Sequence, residues 1–186
     1  MLKKDLRLIY SKRRENLTSQ SILDSSLLIA NRLLQLPIWD YSFYHLFLSI
    51  TDKKEVDTSF IMSILQGKDK NILLPKMLDD LNLVNYLLTD STLIKKNSWN
   101  IPEPVDGIEV SAKKIDVVFL PLMAFDEKGH RVGYGKGFYD VLLSKCRPDV
   151  IKVGLSLFKA EEKIVDIDTH DIPLNYCVTP DRIYSF

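Results

Sequence analysis

The chain has 186 residues, 46% of them hydrophobic, enough to bury a core without disulfide or metal staples. Lys and Arg total 25 and Asp and Glu total 25, so the formal net charge is zero, which argues against an extended nucleic-acid or membrane-surface footprint. Cys146 and Cys177 are the two cysteines and lack C-x-x-C spacing, which disfavours a disulfide framework or zinc cluster and fits a reduced, cytoplasmic setting.

Met1-Leu-Lys-Lys-Asp-Leu-Arg7 begins with charge and reaches no apolar h-region, so no signal peptide is expected. Nor does any apolar run approach the roughly 18 residues of a membrane-spanning helix. Leu2, Leu6, Ile9 and Tyr10 recur at helical spacing, as do Ile22, Leu23, Leu27, Ala30, Leu33 and Leu34 after Thr18-Ser19. Two amphipathic helices therefore open the chain, the second ending at Leu36-Pro37, where the residue before proline is pushed out of the α region. Tyr41 to Ile50 reads as a strand. Asp57 or Thr58 can cap a helix to about Gln66, with Gly67 as its stop.

Asn71 to Lys76 and Leu83 to Leu88 predict two more strands, followed by an irregular segment around Ser98 to Pro104, whose prolines oppose helix. The apolar run Ile115 to Pro121 reads as a buried strand, Phe138 to Cys146 as a helix, Ile151 to Ser156 as a strand and Tyr176 to Thr179 as a last strand. Strands separated by helices point to one α/β domain spanning residues 1–186, with a largely parallel sheet covered by helices. Ligands of such sheets gather beyond the carboxyl ends of the strands.

Between the Ile115 strand and the Phe138 helix lies Gly129-His-Arg-Val-Gly-Tyr-Gly-Lys-Gly-Phe-Tyr-Asp140, in which four of the chain's seven glycines fall within nine residues. Backbone amides there can approach a ligand without Cβ obstruction, and a turn running into a helix N-terminus suits phosphate. Arg131 and Lys136 add a rigid fork and a mobile charge. The spacing is neither the dinucleotide fingerprint nor the P-loop, since no Ser or Thr follows Lys136. A tight surface turn is the alternative that local physics leaves open.

Lys3, Arg7 and Arg14 point roughly one way on the first helix, either as a solvated basic face or as a stripe awaiting an anion. Asp140 and Asp171 are carboxylates suited to a magnesium ion carried on phosphates, which needs only one or two protein carboxylates. Locally they also read as a helix-dipole partner and a turn residue. Glu55, just past the Tyr41 strand, can face a site, although its polar surroundings read as solvated. Trp99 can stack on a planar ligand or pack a loop. His45, His130 and His170 lack metal-ligand spacing, and the cysteines have no activating neighbour in sequence.

Taken together, Lys3-Lys-Asp-Leu-Arg7 with Arg13-Arg14, Phe47-Leu-Ser49, Glu55-Val-Asp-Thr58, Trp99-Asn-Ile-Pro-Glu-Pro104, the glycine segment and His170-Asp171 resemble the 5-formyltetrahydrofolate cyclo-ligase (methenyltetrahydrofolate synthetase) family in order and spacing. The resemblance implies a three-layer α/β sandwich related to the ribose-phosphate isomerase and CoA-transferase-like group. It implies ATP- and Mg²⁺-dependent closure of 5-formyltetrahydrofolate, with or without a polyglutamate tail, to 5,10-methenyltetrahydrofolate through a phosphorylated formyl group, with release of ADP and phosphate.

By matching position, it implies ATP contacts from Lys3, Arg7, Arg131, Gly133, Tyr134, Gly135, Lys136, Gly137, Phe138 and Tyr139. Folate contacts would come from Arg7, Leu48, Glu55, Tyr134, Gly135, Lys136, Gly137 and Phe138, and magnesium would sit at Asp140 and Asp171. Lys136 and Arg131 would stabilise the transferring phosphoryl group, and Glu55 would orient the pterin. The chain departs from the family at His130, often Asn, and at Phe138, commonly Tyr. A phosphorylated-metabolite sensor and a sugar-phosphate isomerase on a related fold are the competing readings.

Overall fold

The computed structural model describes residues 1–78 and 81–186. Helix α1 spans Lys3–Glu15 and α2 spans Ser19–Leu33. Thr18 starts α2 with a reciprocal cap: its hydroxyl accepts from the Ser21 N–H at 3.1 Å, and the Ser21 hydroxyl accepts from the Thr18 N–H at 3.0 Å. Lys54 Nζ donates to the Glu15 carbonyl at the end of α1 and to the Leu17 carbonyl in the turn that follows. Helix α3 is Ser59–Gly67 and α4 is Phe138–Lys145. Of the two residues able to cap α3, Asp57 does so, its carboxylate accepting from the Ser59 N–H at 2.9 Å.

The strands are β1 (Phe43–His45), β2 (Asn71–Met77), β3 (Leu83–Leu87), β4 (Ile94–Lys96), β5 (Pro102–Pro104), β6 (Val117–Pro121), β7 (Ala124–Phe125), β8 (Arg131–Val132), β9 (Ile151–Leu155), β10 (Tyr176–Val178) and β11 (Ile183–Ser185). Seven of them form the main sheet in the order β11-β10-β9-β6-β1-β2-β3. The inner five run parallel, and β3 and β11 are antiparallel at the edges. The chain steps outward from β1 to β2 on one side and from β6 through β9 to β10 on the other, so the strand order reverses between β1 and β6. That reversal opens a crevice beyond their carboxyl ends.

Strand periodicity assigns the two faces. Tyr44 and Leu46, Ile72 and Leu74, Val117 and Phe119, and Val153 and Leu155 pack with α2 and α3. Leu73, Val118, Leu120 and Cys177 face the layer containing Leu142 and Leu143 of α4. A smaller cluster joins Leu6 and Tyr10 of α1 to Ala124 and Val132 of the β7–β8 hairpin. Gly154 of β9 sits where a Cβ would come within 2.7 Å of Leu122 and Leu174, so close layer packing explains that glycine. Among the described residues no helix is long and apolar enough to cross a membrane.

Three elements differ from the sequence expectation. The strand expected over Tyr41–Ile50 pairs only at Phe43–His45; beyond it the chain leaves the ladder after one further bond, from the Leu46 N–H to the Leu73 carbonyl, and lines the crevice. The segment expected to be irregular forms the β4–β5 hairpin, which packs against the end of β2 through a bond from the Met77 N–H to Glu103 at 3.1 Å. The β7–β8 hairpin follows β6 and takes in the start of the glycine segment, and β11 follows the strand expected to be last. Strands of two or three residues carry too little alternation to show in a sequence.

Candidate functional site

A cavity of about 1020 Å³ opens at the strand-order reversal. Sites for one drug-sized ligand span about 300–1,000 Å³, so this one lies at the top of that range. It is lined by the chain leaving β1, through Phe47, Leu48 and Ile50, and by Pro121 at the end of β6. Its walls differ in chemistry, basic and glycine-rich at one end and apolar at the other.

The basic end is built from three distant segments. From α1, Arg7 lays its guanidinium along the glycine loop, with Nε donating to the Gly133 carbonyl at 2.8 Å. Gly135 has φ +93°, and a Cβ there would lie 3.2 Å from the Arg7 guanidinium carbon; both backbone conformation and close approach demand glycine. Gly137, at φ +79°, turns the loop into α4, so the first N–H groups of that helix open at the cavity edge beside Phe138 and Tyr139. Lys136 is exposed on the loop and lines the cavity.

The two acidic residues of this end are each held by a cation. Arg131 donates to Asp140 at 2.5 Å and to the Ile172 carbonyl, joining β8, α4 and the C-terminal segment. Asp171 accepts from Lys3 Nζ and from the Asp168 N–H. Burial alone would raise the Asp171 pKa, but the Lys3 and Asp168 hydrogen bonds and the nearby charges of Lys3 and Arg131 outweigh it and hold the carboxyl below its usual range. Among the described residues no three His, Cys, Asp or Glu side chains form a metal-binding group. Two separate carboxylates fit a cation that arrives on phosphate oxygens, not one caged by protein alone.

The apolar end is lined by Met77, Leu78, Leu81, Leu83, Trp99 and Ile101. Trp99 does not pack a loop; it is 62% exposed at the tip of the β4–β5 hairpin. Asn97 shapes that tip, its side-chain oxygen accepting from the N–H groups of Trp99 at 2.9 Å and Ile101 at 3.1 Å. An exposed indole facing a cavity with apolar neighbours offers a stacking surface for a planar ring.

Glu55 is the main correction among the site residues. It reads as solvated in sequence, yet it is 5% exposed, because Ile50, Tyr134 and Arg14 enclose it. The Tyr134 hydroxyl donates to one carboxylate oxygen at 2.6 Å and the Ile50 N–H to the other at 2.7 Å. Burial raises the Glu55 pKa despite these bonds and the charges of Arg14 and Lys53. Arg14 likewise leaves the expected basic stripe: Lys3 and Arg7 line the cavity, whereas Arg14 is 6% exposed beneath it.

Lys3, Arg7, Leu48, Glu55, Arg131, Gly133 through Asp140 and Asp171 all border this cavity. Lys53, His130 and the wall residues Met77, Leu78, Leu81 and Leu83 also line it and were not expected there from the sequence. His130 is aimed by a fully buried carboxylate, its Nδ1 lying 3.1 Å from Asp126. The signal available for it was proximity to Arg131. Both thiols pack in the α4 layer, where burial pushes Cys146 up to about 11 and Cys177 well above its usual value.

The 5-formyltetrahydrofolate cyclo-ligase family model matches residues 2–180. A 5-formyltetrahydrofolate cyclo-ligase of Mus musculus is 30% identical over 186 aligned residues, covering 93% of this chain and 91% of that protein. Among solved structures, the 5,10-methenyltetrahydrofolate synthetase of Aquifex aeolicus superposes with a TM-score of 0.84 at 30% identity, over 100% of this chain and 93% of its own. The Mycoplasma pneumoniae 5,10-methenyltetrahydrofolate synthetase shares the fold, with a TM-score of 0.77 at 21% identity over 97% of this chain and 99% of its own.

Proposed function

The chain belongs to the 5-formyltetrahydrofolate cyclo-ligase family, and from that premise we propose that it closes 5-formyltetrahydrofolate to 5,10-methenyltetrahydrofolate with ATP and Mg²⁺ as the phosphoryl donor system. The observation that carries this reading is the two-ended cavity: a cationic glycine loop at one end, an exposed indole and aliphatic wall at the other, and a buried carboxylate between them.

The chemistry explains why such a cavity is needed. A formyl oxygen is a poor leaving group. In the first step it attacks the γ-phosphorus of ATP, a P–O bond forms, and ADP departs with the bridging oxygen. In the second, N10 attacks the formyl carbon, the C–O bond breaks, and phosphate leaves carrying the former formyl oxygen while N10 loses its proton. Neither step needs a protein nucleophile. The protein's part is to hold oxygen, phosphorus and leaving group in line and to offset phosphate charge.

In this reading Lys3, Arg7, Arg131 and the amides of Gly133 to Tyr139 receive the nucleotide. Lys136 and Arg131 face the charge that develops during phosphoryl transfer. Arg7, Leu48, Glu55 and the Tyr134–Phe138 stretch meet the folate. Glu55 as a carboxylate accepts from pterin N–H groups and fixes the ring, with the Trp99 hairpin closing over the apolar end. Asp140 and Asp171 would hold magnesium, directly or through water, and the metal would neutralise the β- and γ-phosphate oxygens. The ion pairs with Arg131 and Lys3 keep both carboxylates aimed at the cavity in the meantime.

The test is near-ultraviolet detection of methenyltetrahydrofolate when purified protein is mixed with 5-formyltetrahydrofolate and Mg²⁺, with and without ATP. Product that appears only with ATP is expected. Folded protein that yields none, or that works equally without ATP, would overturn the proposal.

A further inference from the structure

Arg14 is a buried cation to which, among the described residues, no carboxylate binds directly. Nη1 donates to the Lys53 carbonyl at 2.9 Å and to the Tyr134 hydroxyl at 2.7 Å, and Nη2 donates to the Leu122 carbonyl at 2.8 Å. These partners come from the turn after β1, the chain leaving β6 and the glycine loop. Its countercharge lies one group further on, at Glu55, which accepts from the same Tyr134 hydroxyl at 2.6 Å. A guanidinium 6% exposed and a carboxylate 5% exposed are thus bridged by one phenol that accepts from the first and donates to the second.

Each ion alone would be costly to bury, and a hydrogen-bonded chain between them offsets that cost. Each Glu55 oxygen has a hydrogen-bond partner, the Ile50 N–H on one and the Tyr134 hydroxyl on the other, and the ionised carboxylate can accept from both. Burial pushes the other way, toward the neutral acid. Among the described residues, the titratable groups facing Glu55 are Arg14 from α1, Lys53 from the turn after β1, Tyr134 from the glycine loop and Tyr139 from α4, of which Arg14 and Lys53 carry positive charge. Lys53 is exposed and screened, leaving Arg14 as the buried source of positive potential.

We propose that Arg14 is a positioning residue for the cyclisation, acting through the Tyr134 hydroxyl to hold Glu55 as an oriented carboxylate while it anchors the glycine loop over the strand-order reversal. This rests on the function proposed above and extends it: the hydrogen bond that orients the folate-facing carboxylate also sets the height of the nucleotide loop. The two ends of the cavity therefore share one support.

The experiment compares wild type, Arg14→Gln, Arg14→Lys and Tyr134→Phe by two readouts. The first is the pH dependence of kcat/KM for 5-formyltetrahydrofolate at saturating ATP-Mg²⁺. The second is the titration midpoint of the Glu55 side-chain carboxyl in ligand-free protein, followed by ¹³C NMR and assigned with Glu55→Gln. With Arg14→Gln and Tyr134→Phe, the midpoint and the acid limb of the profile are expected to move up together by about one pH unit. The folate KM should rise about tenfold at neutral pH, and Arg14→Lys should recover part of the shift. A purely structural role would lower thermal stability and leave both midpoints where they are. If Arg14→Gln does not fold, Tyr134→Phe decides alone, because it leaves the two Arg14 bonds to backbone intact. Unmoved midpoints in a folded variant, with wild-type turnover normal, would overturn this inference and spare the proposed function. A wild type that makes no methenyl product would sink the proposed function itself.

Discussion

Lys136 is the residue at which chemistry and stability separate most cleanly. It is exposed on a loop between two glycines and supports no core packing, so its removal should cost the fold within about 0.5 kcal/mol. A cation aimed at a transferring phosphoryl group is worth far more in the transition state, on the order of 10²–10³ in rate by analogy with other preorganised charge-stabilising groups. Lys136→Ala should therefore lower kcat by about that factor with little change in melting temperature, read by the methenyl absorbance assay and a thermal melt. Near-wild-type turnover would remove Lys136 from the phosphoryl-transfer role. Gly135→Ala probes the same loop from the opposite direction. It places a Cβ 3.2 Å from Arg7 at a backbone φ of +93°, which costs roughly 1–2 kcal/mol for an L residue. Displacement of Arg7 should appear as a raised KM for ATP in initial-rate measurements, and an unchanged KM would show that Arg7 does not report on nucleotide binding.

At the scale of elements, what was legible in the sequence was what repeats. Apolar spacing shows α1 and α2, and the apolar runs show β6 and β9, because each covers enough residues for a period to register. Glu55 was misread for the opposite reason. Apart from Val56 its neighbours in sequence are polar, and its burial is produced with Arg14 and Tyr134, which lie 41 and 79 positions away along the chain. The glycine loop was legible as a turn leading into a helix from its glycine spacing, whereas the apolar wall on the β2–β3 and β4–β5 hairpins was not, since scattered Met and Leu residues look like core until the fold exposes them. One acidic residue shows how such distant segments are set in register. Asp116, just before β6, accepts from the Phe43 N–H at 2.8 Å, the Ser42 N–H at 3.1 Å and Arg147 at 2.9 Å, aligning the start of β1 with β6. Burial would raise its pKa, but these bonds prevail and depress it. The stability it supplies is then present above the ordinary aspartate value near pH 4 and is lost as pH falls through the depressed folded value. Asp116→Asn should cost about 1–2 kcal/mol in denaturant unfolding at pH 7, with the gap to wild type closing as the pH falls through the depressed folded value. A gap independent of pH would mean that the amide alone, not the charge, was at issue.

Over the whole molecule the basic end of the cavity depends on contacts between the two extremes of the chain. The Met1 amino group donates to the Lys163 carbonyl at 2.8 Å, the Lys3 N–H donates to Asp166 at 2.7 Å, and Lys3 Nζ holds Asp171. The glycine loop lies between α1 and this C-terminal segment, with Arg7 on one side and Arg131 tied to Ile172 on the other. A nucleotide placed there would bridge three segments that meet only in the folded state, and ligands that bind only that state stabilise by mass action, about 2.7 kcal/mol at one hundred times Kd. For a chain of 186 residues that corresponds to a rise of roughly 5–11 °C in melting temperature. The two site carboxylates do not form a protein-only cage, so Mg²⁺ without nucleotide should leave the melting temperature unchanged, ATP without Mg²⁺ should raise it modestly, and ATP with Mg²⁺ should give the full rise. Asp140→Asn should remove the increment that Mg²⁺ adds while keeping the response to ATP alone, because Arg131 and the loop amides remain. Thermal melts across these conditions separate the metal's contribution from the nucleotide's without any turnover. A shift from Mg²⁺ alone would require a metal site formed before nucleotide binding, and an unaltered Mg²⁺ increment in Asp140→Asn would move the metal to Asp171 and the phosphates.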